Sequence, residues 1–218
     1  MTSTDGVVGA VVGDLSEEEL LEVVQARLAP VARDAAWPAG TVAPGDDAAV
    51  LPAPRGAVAV STDAMGEGTD FLAVWPAGVR TRGHDVGWKA AAQNLSDVNA
   101  MGAVATGLVT ALTLPRETPV AWAASLAGGF TAAIRALGAD GCRVAGGDLG
   151  EGDRVHVAVT ALGDPPASGA VRRVPSPAFR ERVLGEGAAL VHAAGSDGPG
   201  WGEPGPGWAA AGLALLLT

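Results

Sequence analysis

Several aspartates stand where acids are out of place. Asp46 and Asp47 precede the apolar run Ala48–Leu51, and Asp63 follows the run Ala57–Ser61. Asp97 lies within an alanine-rich stretch, and Asp148 follows Gly146 and Gly147. Any one aspartate beside a glycine has an ordinary explanation as a turn former or helix cap. Carboxylates that recur at strand ends point instead to a shared crevice, where ligands of α/β folds bind. Carboxylates brought together repel one another unless a cation separates them. A set of oxygen donors without His or Cys favours Mg²⁺ over zinc or copper.

Other chemistries leave no trace in the pattern. There is no G-x-x-x-x-G-K-[ST] and no G-x-G-x-x-G, so neither a P-loop nor a Rossmann fingerprint is present. Gly146-Gly147-Asp148 reads as a turn, either an ordinary one or one whose backbone N–H groups face a phosphate. No Ser-His-Asp or Cys-His arrangement is readable, and no residue is assigned as a general acid or base. His84, His156 and His192 are scattered and read as no metal site.

The elements that must position these residues follow from periodicity. Leu15–Ala29 reads as a helix, with a capping box at Ser16 and Glu19 and a stop at Pro30. Ala48–Leu51 and Ala57–Ser61 read as short strands. Asp85–Met101 reads as a second helix, packing through Val86, Ala90, Leu95, Val98 and Met101. Its polar stripe holds Lys89, Gln93, Asn94 and Asp97, with Asn94 and Asp97 on one face. Val104–Leu114 is continuously apolar, as a buried strand requires. Thr118 is the expected cap of a third helix running to about Leu137, with Pro119 at its first position. Arg143–Ala145 reads as a brief strand. Arg154–Leu162 alternates, with Val155, Val157, Val159 and Ala161 on one face. Helices and strands alternate, so the class is α/β, or α+β with a mixed sheet. The expected organisation is a first domain over 1–164, an irregular Pro/Gly-rich linker over 165–207, and the opening of a second domain over 208–218.

Composition narrows the partners. The net charge is −10, which repels phosphate backbones and argues against nucleic acid. Lys89 is the chain's lone lysine. Cys142 has no partner for a disulfide and reads as a small buried hydrophobe. No apolar run is long enough to span a bilayer, and the expected location is the cytoplasm.

Taken together, the motifs resemble a known family. Gly45-Asp46-Asp47-Ala48-Ala49-Val50 is similar to its GDD-x-A-[VL] segment, and Ser61-Thr62-Asp63 to its [ST]-T-D strand end. Glu67-Gly68 and Phe71 fit its E-G-x-H-F pattern, with Asp70 in place of the His. Lys89-Ala90, Asn94-Leu95-Ser96-Asp97 and Ala100-Met101-Gly102-Ala103 match K-A-x-x-x-N-L-S-D-x-x-A-M-G-A, and Gly146-Gly147-Asp148 matches GGD. The family is thiamine-monophosphate kinase, of the aminoimidazole-ribonucleotide synthetase-like superfamily.

The resemblance implies that superfamily's N-terminal domain fold, paired through its strands into a homodimer. It implies ATP-dependent phosphorylation of thiamine monophosphate to thiamine diphosphate, by in-line transfer. It implies Mg²⁺ bound by Asp47, Ser61, Thr62, Asp63, Asp97 and Asp148. ATP would be contacted by Gly147, Asp148 and Arg173, and substrate by Asp70. Val174–Gly207 does not match the family, whereas Trp208–Leu217 resembles the first helix of its second domain, a pattern expected of a frameshifted or inserted segment. The family's further D-L-S-D-G motif has no counterpart in this sequence. Two rival readings remain open: a non-catalytic dimerising module that binds Mg²⁺ and nucleotide, and a related ATP-dependent enzyme with another small substrate.

Overall fold

Ser16 and Glu19 start the first helix. The Ser16 N–H donates to Glu19 Oε2 at 2.7 Å, and the Glu19 N–H donates to Ser16 Oγ at 3.3 Å. Two donors that a helix start would leave unpaired are thereby satisfied. Glu17, Glu18 and Glu19 place negative charge at the positive end of the helix dipole. This helix, α1, runs Glu17–Leu28 and ends in the 3-10 turn Ala29–Val31, which contains Pro30. The computed structural model describes residues 9–32, 36–44, 48–51, 56–168 and 171. The chain divides into Met1–Ala170 and Val171–Thr218, and every described helix and strand belongs to the first unit. The readings for Asp46, Asp47, Arg173 and 172–218 lie outside the described residues.

The remaining elements are β1 (Ala59–Gly66), α2 (Gly83–Ala100), β2 (Val104–Leu114), α3 (Val120–Ala136), β3 (Arg143–Glu151) and β4 (His156–Asp164). The strands form one mixed sheet in the order β1-β4-β2-β3. β4 is antiparallel to both neighbours. β2 and β3 are parallel, and α3 is the crossover such a pair needs. The fold class is therefore the α/β class with a mixed sheet read from the sequence.

Helices cover one face of this sheet. α2 lies against β1, β4 and β2, and α3 packs between α2 and α1. Val155, Val157, Val159 and Ala161 are buried, as the alternation predicts. β2 differs from expectation. Leu108, Leu112 and Leu114 are buried, yet Val104 is 68% exposed and Val109 39%. Its apolar run reads as buried on both sides, but the second face is only partly covered: Leu51 lies against Gly107, while Val104 and Val109 stay open.

The α2–α3 seam accounts for part of the glycine content. A Cβ on Gly83 or Gly87 would overlap the main-chain carbonyl of Trp122 or Leu126, and one on Gly129 would overlap that of His84. The backbones approach more closely than side chains permit. Ser125 of α3 then accepts the His84 N–H at 3.0 Å and caps α2 from outside. Thr131 Oγ1 donates to the Arg27 carbonyl at 2.8 Å and ties α3 to α1. Thr118 does not cap α3. Pro119 stands at the N-cap, and the Thr118 carbonyl accepts the Val12 N–H at 2.7 Å. Cys142 is fully buried, and burial pushes its thiol up to about 12.

Candidate functional site

β1 is an edge strand, so its side chains alternate between two environments. Ser61, Asp63 and Met65 lie opposite Ala161, Val159 and Val157 of β4, all fully buried, and so face the helix layer. Thr62 and Ala64 lie opposite Thr160 and Ala158, on the open face. Asp63 is not beyond the strand end as the sequence implied. The strand continues three residues past it to Gly66.

The sharpest contact lies on the helix face. Ser61 Oγ donates to Asp97 Oδ2 at 2.8 Å, across 36 residues of sequence. It joins the S-T-D strand to the N-L-S-D helix. Asp97 is half-buried, and Asp63 is exposed, with its Oδ1 accepting the Ala64 N–H at 2.8 Å. Asn94 does not share the polar stripe. It is fully buried, and Nδ2 donates to the Ala90 carbonyl at 2.9 Å. Among the described residues its Oδ1 has no partner, an arrangement that costs about 1–3 kcal/mol.

Thr62 Oγ1 and Thr160 Oγ1 share a hydrogen bond of 2.9 Å on the open face. Sequence reading missed Thr160. The alternation of β4 turns it outward, but only the β1–β4 register sets it against Thr62. Gly146-Gly147-Asp148 is likewise not a turn: β3 runs through it, with a register shift between Leu108 and Val109 of β2. Gly146 has φ +150°, a region that favours glycine. A Cβ on Gly147 would overlap the Thr110 carbonyl. These two glycines let β3 bulge and still pair closely. Asp148 lies opposite Ala111 on the open face and is exposed.

Asp70 lies where β1 ends. Its Oδ2 accepts the Gly66 N–H at 2.8 Å and the Thr69 hydroxyl at 2.9 Å. The Gly66 N–H, and next the Thr69 hydroxyl, hold this carboxyl below the usual aspartate range against a small opposing effect of burial. The charges of Lys89 and His156 act in the same direction. Lys89 Nζ donates to the Asp70 carbonyl at 3.0 Å, so α2 reaches the same turn.

The structure thus brings together Ser61, Asp63 and Asp97 on one face and leaves Thr62 and Asp148 on the other. β1 and β3 are opposite edges, three strand intervals apart, or roughly 14 Å. Among the described residues no three His, Cys, Asp or Glu side chains stand close enough to hold a metal. The donor chemistry on the helix face still suits Mg²⁺. That ion is ordinarily held by one or two carboxylates together with water and substrate phosphates.

Comparison with known proteins agrees with this frame. The family described as AIR synthase related protein, N-terminal domain, matches residues 45–164. The chain is 41% identical over 121 residues to the thiamine-monophosphate kinase of Mycobacterium tuberculosis, covering 56% of this chain and 34% of that one. It is 34% identical over 157 residues to the Corynebacterium glutamicum thiamine-monophosphate kinase, covering 71% and 42%. The crystal structure of thiamine-monophosphate kinase from Stenotrophomonas maltophilia is similar at a TM-score of 0.55 and 32% identity, covering 73% of this chain and 46% of that one. This chain therefore spans less than half the length of each of these relatives. The match covers every strand of the sheet and the helices between them, and the chain belongs to the AIR synthase related family through its N-terminal domain.

Proposed function

We propose that this chain is the metal- and nucleotide-binding part of a kinase that transfers the γ-phosphoryl group of ATP to thiamine monophosphate. The observation that carries the reading is the Ser61–Asp97 hydrogen bond, which joins two separate motifs on one face beside Asp63. The named relatives supply the substrate. In this reading Asp47, Ser61, Thr62, Asp63, Asp97 and Asp148 hold Mg²⁺. The ion, when bound, neutralises charge that develops on the phosphates. The chain's own work is to position reactants, for such transfers need little covalent chemistry from the protein. Gly147 brings backbone close to the nucleotide, with Arg173 as a further contact. Asp70 shapes the substrate-side turn, and Lys89 beside it brings positive charge toward a phosphate ester.

The division of the ligand set supports a homodimer. Asp63 and Asp148 cannot reach one ion within one chain, being at opposite edges and on opposite faces. Two copies pairing through their edge strands set β3 of one beside β1 of the other. The open face, with Val60, Val104 and Val109 exposed, then becomes the interior of the pair. A cytoplasmic location completes the reading. Among the described residues no helix is long and apolar enough to cross a membrane.

Calorimetric titration of Mg²⁺ and a nonhydrolysable ATP analogue into the purified chain tests this reading, with a thiamine diphosphate assay on the same sample. Binding together with product supports the kinase. Binding without product supports a nucleotide-binding module. A folded sample that binds neither ligand refutes the site.

A further inference from the structure

We propose that His156 is a specificity-determining residue: its imidazole, laid over Gly66 at the end of the sheet, donates a hydrogen bond to the phosphate ester of the substrate. This role rests on the reading of thiamine monophosphate as substrate given above. It concerns the turn after β1 rather than the acids that hold Mg²⁺.

His156 opens β4 and stands directly opposite Gly66, the last residue of β1. Val155 and Val157 on either side are buried, so the strand alternation turns His156 to the open face, where it is exposed. The glycine across from it leaves room for the ring. A Cβ on Gly66 would stand 3.3 Å from His156 Nε2, 3.4 Å from its Cδ2 and 3.1 Å from Thr69 Oγ1. The imidazole therefore reaches across to β1, beside the turn Gly66–Asp70. Among the described residues neither of its ring nitrogens takes part in a hydrogen bond, though each is able to.

Two more cations reach the same turn. Lys89 comes from α2 and donates to the Asp70 carbonyl at 3.0 Å, which spends one of three ammonium protons. Arg154 lies against Gly68 and donates to the Glu67 carbonyl at 3.4 Å. The acids here are already engaged. Asp70 Oδ2 accepts the Gly66 N–H and the Thr69 hydroxyl, and Glu67 Oε2 accepts the Val155 N–H at 3.3 Å. Unspent donors thus gather at one turn of a chain with 24 acids and only 14 lysines and arginines. A phosphate ester suits them, because its oxygens accept from imidazole and ammonium alike. The resemblance puts a histidine at the position of Asp70. In this chain the imidazole arrives at that turn from β4 instead. A pair joined along strand edges stays open at its strand ends, so the turn remains accessible in the homodimer proposed above.

The test is calorimetric titration of the full chain, with Mg²⁺ present, against thiamine monophosphate and against thiamine, which differ only in the phosphate. The proteins are wild type, His156→Ala and His156→Gln. Wild type is expected to prefer the monophosphate. His156→Ala is expected to lose on the order of 10- to 100-fold in affinity for the monophosphate, the worth of one hydrogen bond to a charged group. Its affinity for thiamine stays unchanged. His156→Gln keeps a donor near the Nε2 position and stays within about threefold of wild type on the same scale. Imidazole nitrogen resonances give a second readout. The chain has three histidines, and the spectrum of His156→Gln identifies the resonance that belongs to His156. The monophosphate shifts that resonance, and thiamine leaves it in place.

Equal losses for both ligands in His156→Ala would make the residue a support of the turn and overturn the proposal. Should His156→Ala fail to fold, the resonance decides: no shift with the monophosphate sinks the contact. If wild type prefers the monophosphate and His156→Ala matches it, the substrate reading stands and only the role of His156 fails. A wild type that binds both ligands alike refutes recognition of the phosphate at this turn. One that binds neither refutes the substrate reading, and the role of His156 with it.

Discussion

The two faces of the sheet share the same strands but have opposite fates. On the helix face, Leu108, Val157, Val159 and Ala161 are sealed beneath α2 and its neighbours. On the open face, Val60, Val104 and Val109 stand exposed among Ala64, Ala111, Ala158 and the Thr62–Thr160 pair. The candidate ligands divide in the same way: Ser61, Asp63 and Asp97 on the first face, Thr62 and Asp148 on the second. In the proposed reading, a sheet with one covered and one largely open face builds half a site and leaves the other half to whatever covers the open side.

Leu108 and Val109, adjacent in β2, probe that contrast most strongly. Leu108→Ala leaves a cavity in the core and is expected to cost about 2–5 kcal/mol in a denaturant titration. Val109→Ala, on the exposed side, is expected to stay within about 0.5 kcal/mol for the single chain. A large loss at Val109 that grows with protein concentration would show the open face buried by a second copy.

Asp63→Asn and Asp148→Asn test whether the halves meet between copies. Each variant alone is expected to weaken Mg²⁺–nucleotide binding by more than about 100-fold, since even groups one step removed from a metal cost 10- to 100-fold. Mixing the two unfolded variants and refolding them together should restore one wild-type site in each mixed pair. Calorimetry reads the recovered stoichiometry. No recovery would mean that β1 and β3 of different copies do not join.

Gly147→Ala comes next in size. The added methyl overlaps the Thr110 carbonyl, and β3 must shift. Such overpacking is expected to cost about 1–3 kcal/mol. Equal stability in urea would remove the argument that close β2–β3 pairing requires this glycine.

The smallest effect belongs to Asp70, at the rim between the faces. Its folded carboxyl titrates below the usual aspartate range. Its contribution is therefore present above the unfolded value, about 3.9, and is lost as pH falls through the folded value. The difference in melting temperature between wild type and Asp70→Asn should shrink from pH 7 toward pH 3. A difference that stays constant over that range would mean the charge plays no part in holding the turn.

Local chemistry was legible in the residues alone. Ser16 and Glu19 announce the start of α1 because a capping box lies within one turn of chain. The alternation from Val155 to Ala161 announces a half-buried strand because side chains on a strand repeat every two residues. The acids of the candidate site could be picked out as misplaced carboxylates. Tertiary structure decided the rest. Gly146-Gly147-Asp148 reads as a turn, and only pairing with β2 makes it the interior of a strand. Asn94 reads as part of a polar stripe, and only the packing of α2 buries it. Which acids stand together depends on strand order and register, and these are set by contacts between residues far apart in the chain. Sequence fixes the type and spacing of the donors through rules that act over a few residues. Their division between two faces and two edges follows from long-range pairing, which no local pattern encodes.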